Sequence, residues 1–211
     1  MPATALNTKL AKTSRPIHEL LARRWSPRAF DEARPIAQET LTQLFEAARW
    51  APSCFNEQPW RYLVCNRATE PDAWADVLAC LVEGNRKWAR RAPTLMAAIA
   101  ASHFSYSGKP NRWAAYDTGA ASENMFLQAT ALGLAMHQMG GFDAAQVHAR
   151  FGVPAEFEVL AIIALGYPGE PALLERQRLE QELAPRTRRS VSEFTHYGRW
   201  RQLRAVPGGA R

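Results

Sequence analysis

The chain has 211 residues, 47% of them hydrophobic, which is enough for one ordinary domain with its own core. We therefore expect a single domain over residues 1–211. The formal net charge of +6 at pH 7 is compatible with an anionic partner but does not identify the anion. The sequence lacks the pattern of a signal peptide and any apolar run long enough to cross a bilayer, which argues against a secreted or membrane protein and predicts a cytoplasmic one.

Two helices are predicted in the first fifty residues. Apolar residues recur at helical spacing from Ile17 to Arg23, and the basic stretch RRWSPRAF follows, where Pro27 disfavours helix. A second helix is predicted over Gln38 to Trp50, because its apolar residues share one face. Its end leads into the loop Pro52 to Pro59.

Three apolar runs are predicted to be strands at the centre of one sheet: Trp60 to Cys65, Thr94 to Ala101 and Val159 to Leu165. Asp117 to about Leu132 is rich in small residues and apolar on most sides, which predicts a buried helix that could also pack against a second subunit. The order of elements favours an α+β fold with a mixed central β-sheet flanked by helices.

The C-terminal part of the chain is rich in arginine. From Arg176 to Arg211 there are nine Arg, no Lys and three Glu, and the planar guanidinium suits phosphate better than an ammonium does. The stretch Val191 to Trp200 carries three large aromatic residues without a regular period. Because such residues rarely stay in water, we expect an extended C-terminal arm that docks onto another surface or subunit.

The three cysteines, Cys54, Cys65 and Cys80, are odd in number and have neither CxxC spacing nor histidine partners at metal-ligand intervals. We interpret them as free thiols in a reducing compartment and expect no metal site. The histidines are scattered, and no Ser-His-Asp order, paired-carboxylate signature or metal motif is compelling. We therefore assign no catalytic side chain.

Two clusters in the first sixty residues can bind a ligand. Arg24, Ser26 and Arg28 occupy alternate positions, so an extended loop would present them on one side as a phosphate clamp. The same loop could instead be solvated surface. In the second cluster, Ser53, Asn56 and Gln58 offer neutral donors and acceptors suited to the polar edge of a heteroaromatic ring, or caps for the loop's own backbone.

Two further clusters follow later in the chain. Gly140 and Gly141, after Met139, permit close backbone approach to a ligand carbonyl or a developing negative charge. Arg186 and Arg188 again place basic residues at alternate positions. A solvated basic tail is the alternative for this last pair.

In order and spacing, the four clusters resemble those of nitroreductase-family flavoproteins from about Arg15 to Trp200. The family's R-x-S-x-R/K loop is matched by Arg24, Ser26 and Arg28, with Trp25 between them, and implies contacts with the phosphate and ribityl chain of FMN. By the same resemblance, Arg186 and Arg188 complete the phosphate site.

The family's P-S-x-x-N-x-Q-P-W loop covers the isoalloxazine from the neighbouring subunit. The residues that match it here are Pro52, Ser53, Asn56, Gln58, Pro59 and Trp60. Cys54 stands where serine is common, which weakens any hydrogen bond made there. Asn85 resembles a residue at the polar edge of the flavin, and Met139, Gly140 and Gly141 resemble the loop near the reactive ring nitrogens.

The resemblance implies an FMN-dependent NAD(P)H oxidoreductase that works as a homodimer with FMN at the subunit interface. Its cycle would be ping-pong, with NADH or NADPH as the transient electron donor and a small acceptor such as a nitroaromatic or a quinone. The absence of a G-x-G-x-x-G motif argues against a separate nicotinamide domain. Specialised flavin chemistry, dehalogenation or flavin breakdown, is an alternative that would need a lid, for which Ser102 to Trp113 is the candidate.

A nucleic-acid-binding module is the alternative from another class. The net charge of +6, seven Trp and the C-terminal arginines favour it in composition. No nucleic-acid motif accompanies the charge, so we expect neither a nucleic-acid nor a membrane partner.

Overall fold

A four-stranded sheet lies at the centre of the computed structural model, which describes residues 9–201. The strands are β1 (Trp60–Asn66), β2 (Thr94–Ala101), β3 (Ala135–Met139) and β4 (Phe157–Gly166), in the order β1-β2-β4-β3. All three pairings are antiparallel.

The α+β class is confirmed, whereas the mixed strand directions that we predicted do not occur in this sheet of residues 9–201. Burial on both faces of a strand does not reveal its direction, which explains the difference.

Helices cover both faces of the sheet. In chain order they are α1 (Glu19–Arg23), α2 (Gln38–Arg49), α3 (Pro71–Cys80), α4 (Glu83–Ala89), α5 (Ala114–Ala131), α6 (Ala144–Phe151) and α7 (Arg176–Leu183). Short 3-10 turns lie at Cys54–Asn56, Pro171–Leu173 and Val191–Glu193. No helix within residues 9–201 combines the length and the apolar character that crossing a membrane requires.

The core has two parts because β2 and β4 are buried on both faces. On β2, Leu95 and Ala97 face a cluster formed with α3 and α4, while Met96 and Ala98 face a cluster formed with α2 and α5. The alternation follows from the two-residue period of a strand.

The central position predicted for β2 and β4 is confirmed. The same prediction for β1 is wrong, because β1 is an edge strand of this sheet.

The predicted helices fall close to the observed ones. The first begins at Glu19 rather than Ile17, the second ends one residue earlier than predicted, and α5 begins three residues before Asp117. The buried face predicted for α5 is present, with Met125 and Phe126 in the core.

The predicted C-terminal arm follows α7 and contains only a short 3-10 turn among its described residues. Phe194 and Trp200 on this arm are exposed in the single chain, so docking onto another subunit stays a prediction. Arg204 and Arg211, and the first eight residues, which we searched for a signal peptide, lie outside the described residues.

Candidate cofactor site

The basic loop that begins at Arg24 follows directly from the end of α1. The backbone amide of Arg24 donates to the carbonyl of Leu20, which closes the helix, and its guanidinium lies 3.2 Å from the Glu123 carboxylate on α5. The guanidinium of Arg28 lies 6.0 Å from the centre of the Trp88 ring on α4. The loop is therefore packed between two helices and is not a free surface segment.

A buried carboxylate anchors the backbone of this loop. Glu182, in the last turn of α7 and only 1% exposed, accepts hydrogen bonds from the backbone amides of Arg28 (3.0 Å) and Ala29 (3.1 Å). Burial raises the pKa of Glu182, while these two amides and the charges of Arg28 and Lys9 lower it. This contact could not be predicted from the sequence, because it joins residues that are far apart in the chain.

Arg186 and Arg188 reach the same region. The Nη1 of Arg186 donates to the carbonyl oxygens of Lys9 (2.8 Å) and Ala22 (2.9 Å). Burial lowers the pKa of the Arg186 guanidinium, and the nearby charges of Arg24 and Arg188 lower it further. The structure thus brings the first and the fourth predicted clusters together.

Lys9 is a further cation here that the sequence did not reveal. Its side chain is buried, its ammonium donates to the carbonyl of Ala184, and it lies 4.8 Å from the centre of the Trp25 ring. Burial lowers the pKa of Lys9, Glu182 raises it, and Arg186 and Arg28 lower it. We call this group the basic patch; its cations are Lys9, Arg24, Arg28, Arg178, Arg186 and Arg188.

His137 on β3 joins the basic loop to the sheet. Its Nδ1 lies 2.9 Å from the carbonyl of Pro27, to which it donates in the neutral ring, and the ring centre lies 4.6 Å from that of Trp88. Burial lowers the pKa of His137 to about 4, and hydrogen bonds to the backbone of Pro27 and Ser26 offset only part of this shift. His137 is therefore neutral at pH 7 and acts here as a structural contact.

The third cluster lies at the end of the same strand. Asn85 on α4 donates its side-chain amide to the carbonyl of Gly141 at 3.1 Å, and the backbone amide of Val82 donates to the same oxygen at 3.1 Å. A Cβ on Gly141 would lie 2.7 Å from the Asn85 amide nitrogen, so any larger residue there would have to displace the Asn85 side chain. Gly140 is exposed with open space around it, and Met139 is buried in the core.

The loop of the second cluster is tightly braced. The Ser53 hydroxyl accepts from the backbone amide of Gln58 at 3.0 Å, and the Gln58 side chain donates to the carbonyl of Asn56 at 3.1 Å. The half-buried Cys54 donates its backbone amide to the buried carboxylate of Asp117 at 2.9 Å. The capping role that we considered for this loop is thus observed for Ser53.

Phe55 in this loop has a φ of 54°, and the residue is 79% exposed. Its ring centre lies 6.1 Å from that of Phe104 and 5.8 Å from that of Tyr106, and we call these three rings the aromatic trio. Phe104 and Tyr106 belong to the segment that we considered as a lid. The backbone amide of Ser105 donates to the Glu57 carboxylate at 2.8 Å, which ties that segment to the loop.

The second cluster makes no direct contact with the cations of the basic patch among the contacts described within residues 9–201. His137 shares a row of the sheet with Cys65 on β1, at the opposite edge, three strand spacings or about 14 Å away. The loop enters β1 at Trp60, five residues or about 17 Å further along that strand. His137, which the basic loop contacts, and Trp60, where the second loop enters the sheet, are therefore roughly 20 Å apart across the sheet.

Comparisons with known proteins place this chain in one family. The family model described as the nitroreductase family matches residues 21–167. A crystal structure of an oxidoreductase containing FMN superposes with a TM-score of 0.84 and 34% identity, covering 90% of this chain and 95% of that chain.

Two relatives agree with this assignment. A Streptomyces coelicolor protein named as an NADH dehydrogenase/NAD(P)H nitroreductase is 30% identical over 171 residues, covering 71% of this chain and 83% of that protein. An NADH dehydrogenase of Thermus thermophilus is 30% identical over 168 residues, covering 64% of this chain and 79% of that protein. The chain belongs to the nitroreductase family.

Proposed function

We propose that this protein is an FMN-dependent NAD(P)H oxidoreductase that passes two electrons to a small acceptor such as a nitroaromatic or a quinone. One observation carries the cofactor assignment: the basic patch, built from residues 24–28 and 186–188, which are distant in sequence. Membership of the nitroreductase family and the FMN in the similar crystal structure support the same conclusion. The names of the two relatives support a nicotinamide electron donor.

The basic patch fits a phosphate dianion. Its cations lower one another's pKa values, and the carboxylates beside them are only Glu182 and Glu123 among the contacts described. A bound anion would relieve this repulsion, and guanidinium forks match phosphate geometry. Arg24, Ser26, Arg28 and Arg188 would hold the phosphate, with Trp25 lining the patch.

The ring end of the cofactor needs neutral groups. Asn85, Met139, Gly140 and Gly141 lie on the same edge of the sheet as Arg28, and the open space around Gly140 leaves its backbone accessible. We propose that these residues meet one side of the flavin. When bound, FMN would supply the redox chemistry by accepting a hydride from NADH or NADPH and returning two electrons to the acceptor in a ping-pong cycle. The protein's part is to bind and orient it, so we assign no acid or base.

The loop of the second cluster supports a homodimer. Its entry into the sheet at Trp60 lies roughly 20 Å from His137 beside the basic loop of its own chain. By resemblance to the family, it would reach a flavin in the basic patch of a second copy. Pro52, Ser53, Cys54, Asn56 and Gln58 would then cover the flavin ring from the neighbouring subunit. The exposed aromatic residues of the C-terminal arm are consistent with such an assembly.

A mixed dimer tests this shared site. One subunit carries Arg24→Ala with Arg188→Ala, the other carries Asn56→Ala with Gln58→Ala, and different tags allow the mixed dimer to be purified. Each parent homodimer should retain little FMN, whereas the mixed dimer has one site with both parts intact and should retain about half the wild-type occupancy. A mixed dimer with no more FMN than its parents would refute the shared site. Full occupancy in the Arg24→Ala, Arg188→Ala homodimer would refute the phosphate assignment.

A further inference from the structure

We infer that two buried carboxylates, Glu182 and Asp117, are positioning residues that each hold one loop of the proposed flavin site by a backbone amide. Neither is among the residues that the proposed function assigns to contact with FMN. The inference rests on the proposed function, because it concerns which end of FMN each loop serves.

Glu182 is placed to fix the phosphate end. Its two carboxylate oxygens both lie 3.0 Å from the backbone nitrogen of Arg28, and one also accepts from Ala29. These bonds fix the backbone at the point from which the Arg28 side chain leaves the loop. Because Glu182 is in the last turn of α7, the C-terminal part of the chain sets the shape of a loop near the N-terminus.

Asp117 plays the matching part at the ring end. It is 5% exposed, lies in the first turns of α5, and accepts the backbone amide of Cys54. The next residues, Phe55 and Asn56, have left-handed backbone angles with φ of 54° and 55°, and so does Gln58 with 52°. Such conformations in residues other than glycine need support from their surroundings. The Asp117 carboxylate supplies that support at the start of the strained segment.

A carboxylate suits this task better than a neutral group. Its bonds to amides are charge-assisted and stronger than neutral ones, and it offers only acceptors. An amide side chain in the same place can still present its oxygen to the backbone N–H groups, but those bonds are neutral and weaker, and its NH₂ group replaces the second acceptor. Substitution by Asn or Gln therefore keeps the volume and weakens the anchor.

The roles of Glu182 at the phosphate end and of Asp117 at the ring end can be distinguished by comparing the binding of FMN with that of riboflavin, which lacks only the phosphate. We would measure the Kd of each by quenching of flavin fluorescence, and the midpoint temperature of each apoprotein. Glu182→Gln should weaken FMN binding by about tenfold while leaving riboflavin binding nearly unchanged. Asp117→Asn should weaken both flavins by similar factors, so that their affinity ratio stays near the wild-type value.

A second variant, Glu123→Gln, controls for the loss of negative charge. Glu182→Gln also removes a negative charge from beside the phosphate site, which alone would strengthen FMN binding. Glu123→Gln removes the same charge from beside Arg24 without touching a loop amide in the contacts described. Its preference for FMN over riboflavin should be equal to or greater than that of the wild type. A weaker preference for FMN in Glu182→Gln, together with an unchanged or stronger preference in Glu123→Gln, would identify positioning, rather than charge, as the role of Glu182.

Several outcomes would overturn the inference. A Glu182→Gln protein with the wild-type preference for FMN would exclude the phosphate-end role, and an Asp117→Asn protein with unchanged binding of both flavins would exclude the ring-end role. If Glu182→Gln does not fold, Glu182→Asp keeps the charge but draws it back from the amides, and its preference for FMN must fall as well. A wild-type protein that binds neither flavin, or both equally, would instead refute the proposed function itself.

Discussion

The carboxylate of Glu182 accepts the backbone amide of Arg28, a residue 154 positions earlier in the chain. This bond joins α7 to the loop that carries the proposed phosphate ligands. The conformation of that loop therefore depends on the C-terminal part of the chain as well as on its own sequence. Changes in α7 should for this reason alter cofactor binding without touching the cofactor.

Arg186 and Arg188 should differ in what they contribute. Arg186 donates to the carbonyls of Lys9 and Ala22, so Arg186→Ala should lower the free energy of unfolding by about 2 kcal/mol, since charged hydrogen bonds are lost. Arg188 is exposed and bonds only its neighbour Thr187 among the contacts described, so Arg188→Ala should cost less than about 0.5 kcal/mol. Urea unfolding of the apoproteins measures both. Equal losses would contradict the structural role of Arg186.

The two adjacent glycines should respond very differently to a methyl group. At Gly141 a Cβ would lie 2.7 Å from the Asn85 amide and 2.9 Å from a methyl of Val82, so Gly141→Ala should destabilise the protein by about 1–3 kcal/mol and displace Asn85. At Gly140 the space is open, so Gly140→Ala is the matched control, expected within about 0.5 kcal/mol of wild type. Thermal melts of both variants test this. A Gly141→Ala protein as stable as Gly140→Ala would contradict a packing role for Gly141.

His137 makes stability depend on pH. Burial lowers its pKa to about 4, below its unfolded value of about 6.5, so the unfolded chain binds a proton in this window that the folded chain excludes. Stability should therefore fall as the pH drops from 6.5 toward 4. Glu182, whose pKa burial raises, acts in the opposite sense, so comparison with a His137→Gln variant isolates the histidine. The variant's midpoint temperature should fall less between pH 7 and pH 5, and an identical fall would rule out this role.

Phe55 combines backbone strain with an exposed ring. Asparagine tolerates a φ of 54° better than phenylalanine does, so Phe55→Asn should leave the midpoint temperature unchanged or raise it. If the aromatic trio contacts planar acceptors, the KM for a quinone should rise by about twofold to tenfold, with the rate of flavin reduction by nicotinamide unchanged. Tyr106→Leu should raise the same KM without the gain in stability. An unchanged KM in both variants would show that the aromatic trio does not contact the acceptor.

The sequence revealed those parts of the site that a local pattern encodes. Alternating arginines marked the residues from Arg24 to Arg28 and from Arg186 to Arg188, and the glycine pair marked the turn after β3. The structure then brought these clusters to one edge of the sheet. Their predicted contacts with FMN stay predictions, because a residue's neighbours do not identify its ligand.

Long-range relationships could not be predicted in the same way. Lys9 and Glu182 stand in polar stretches that look solvated, and only the folded chain buries them beside Arg28. The five residues of β3 are too few to establish a period, so this strand was not predicted. The direction of the strands was also missed, since an apolar run has the same pattern in parallel and antiparallel pairs.

The most direct test of the proposed function is an absorption spectrum of the FMN-reconstituted protein during anaerobic addition of NADH or NADPH. We expect the bands of protein-bound oxidised flavin, their bleaching by a nicotinamide, and their return when a quinone or nitroaromatic is added. A protein that does not bind FMN, or whose bound flavin neither nicotinamide reduces, would contradict it.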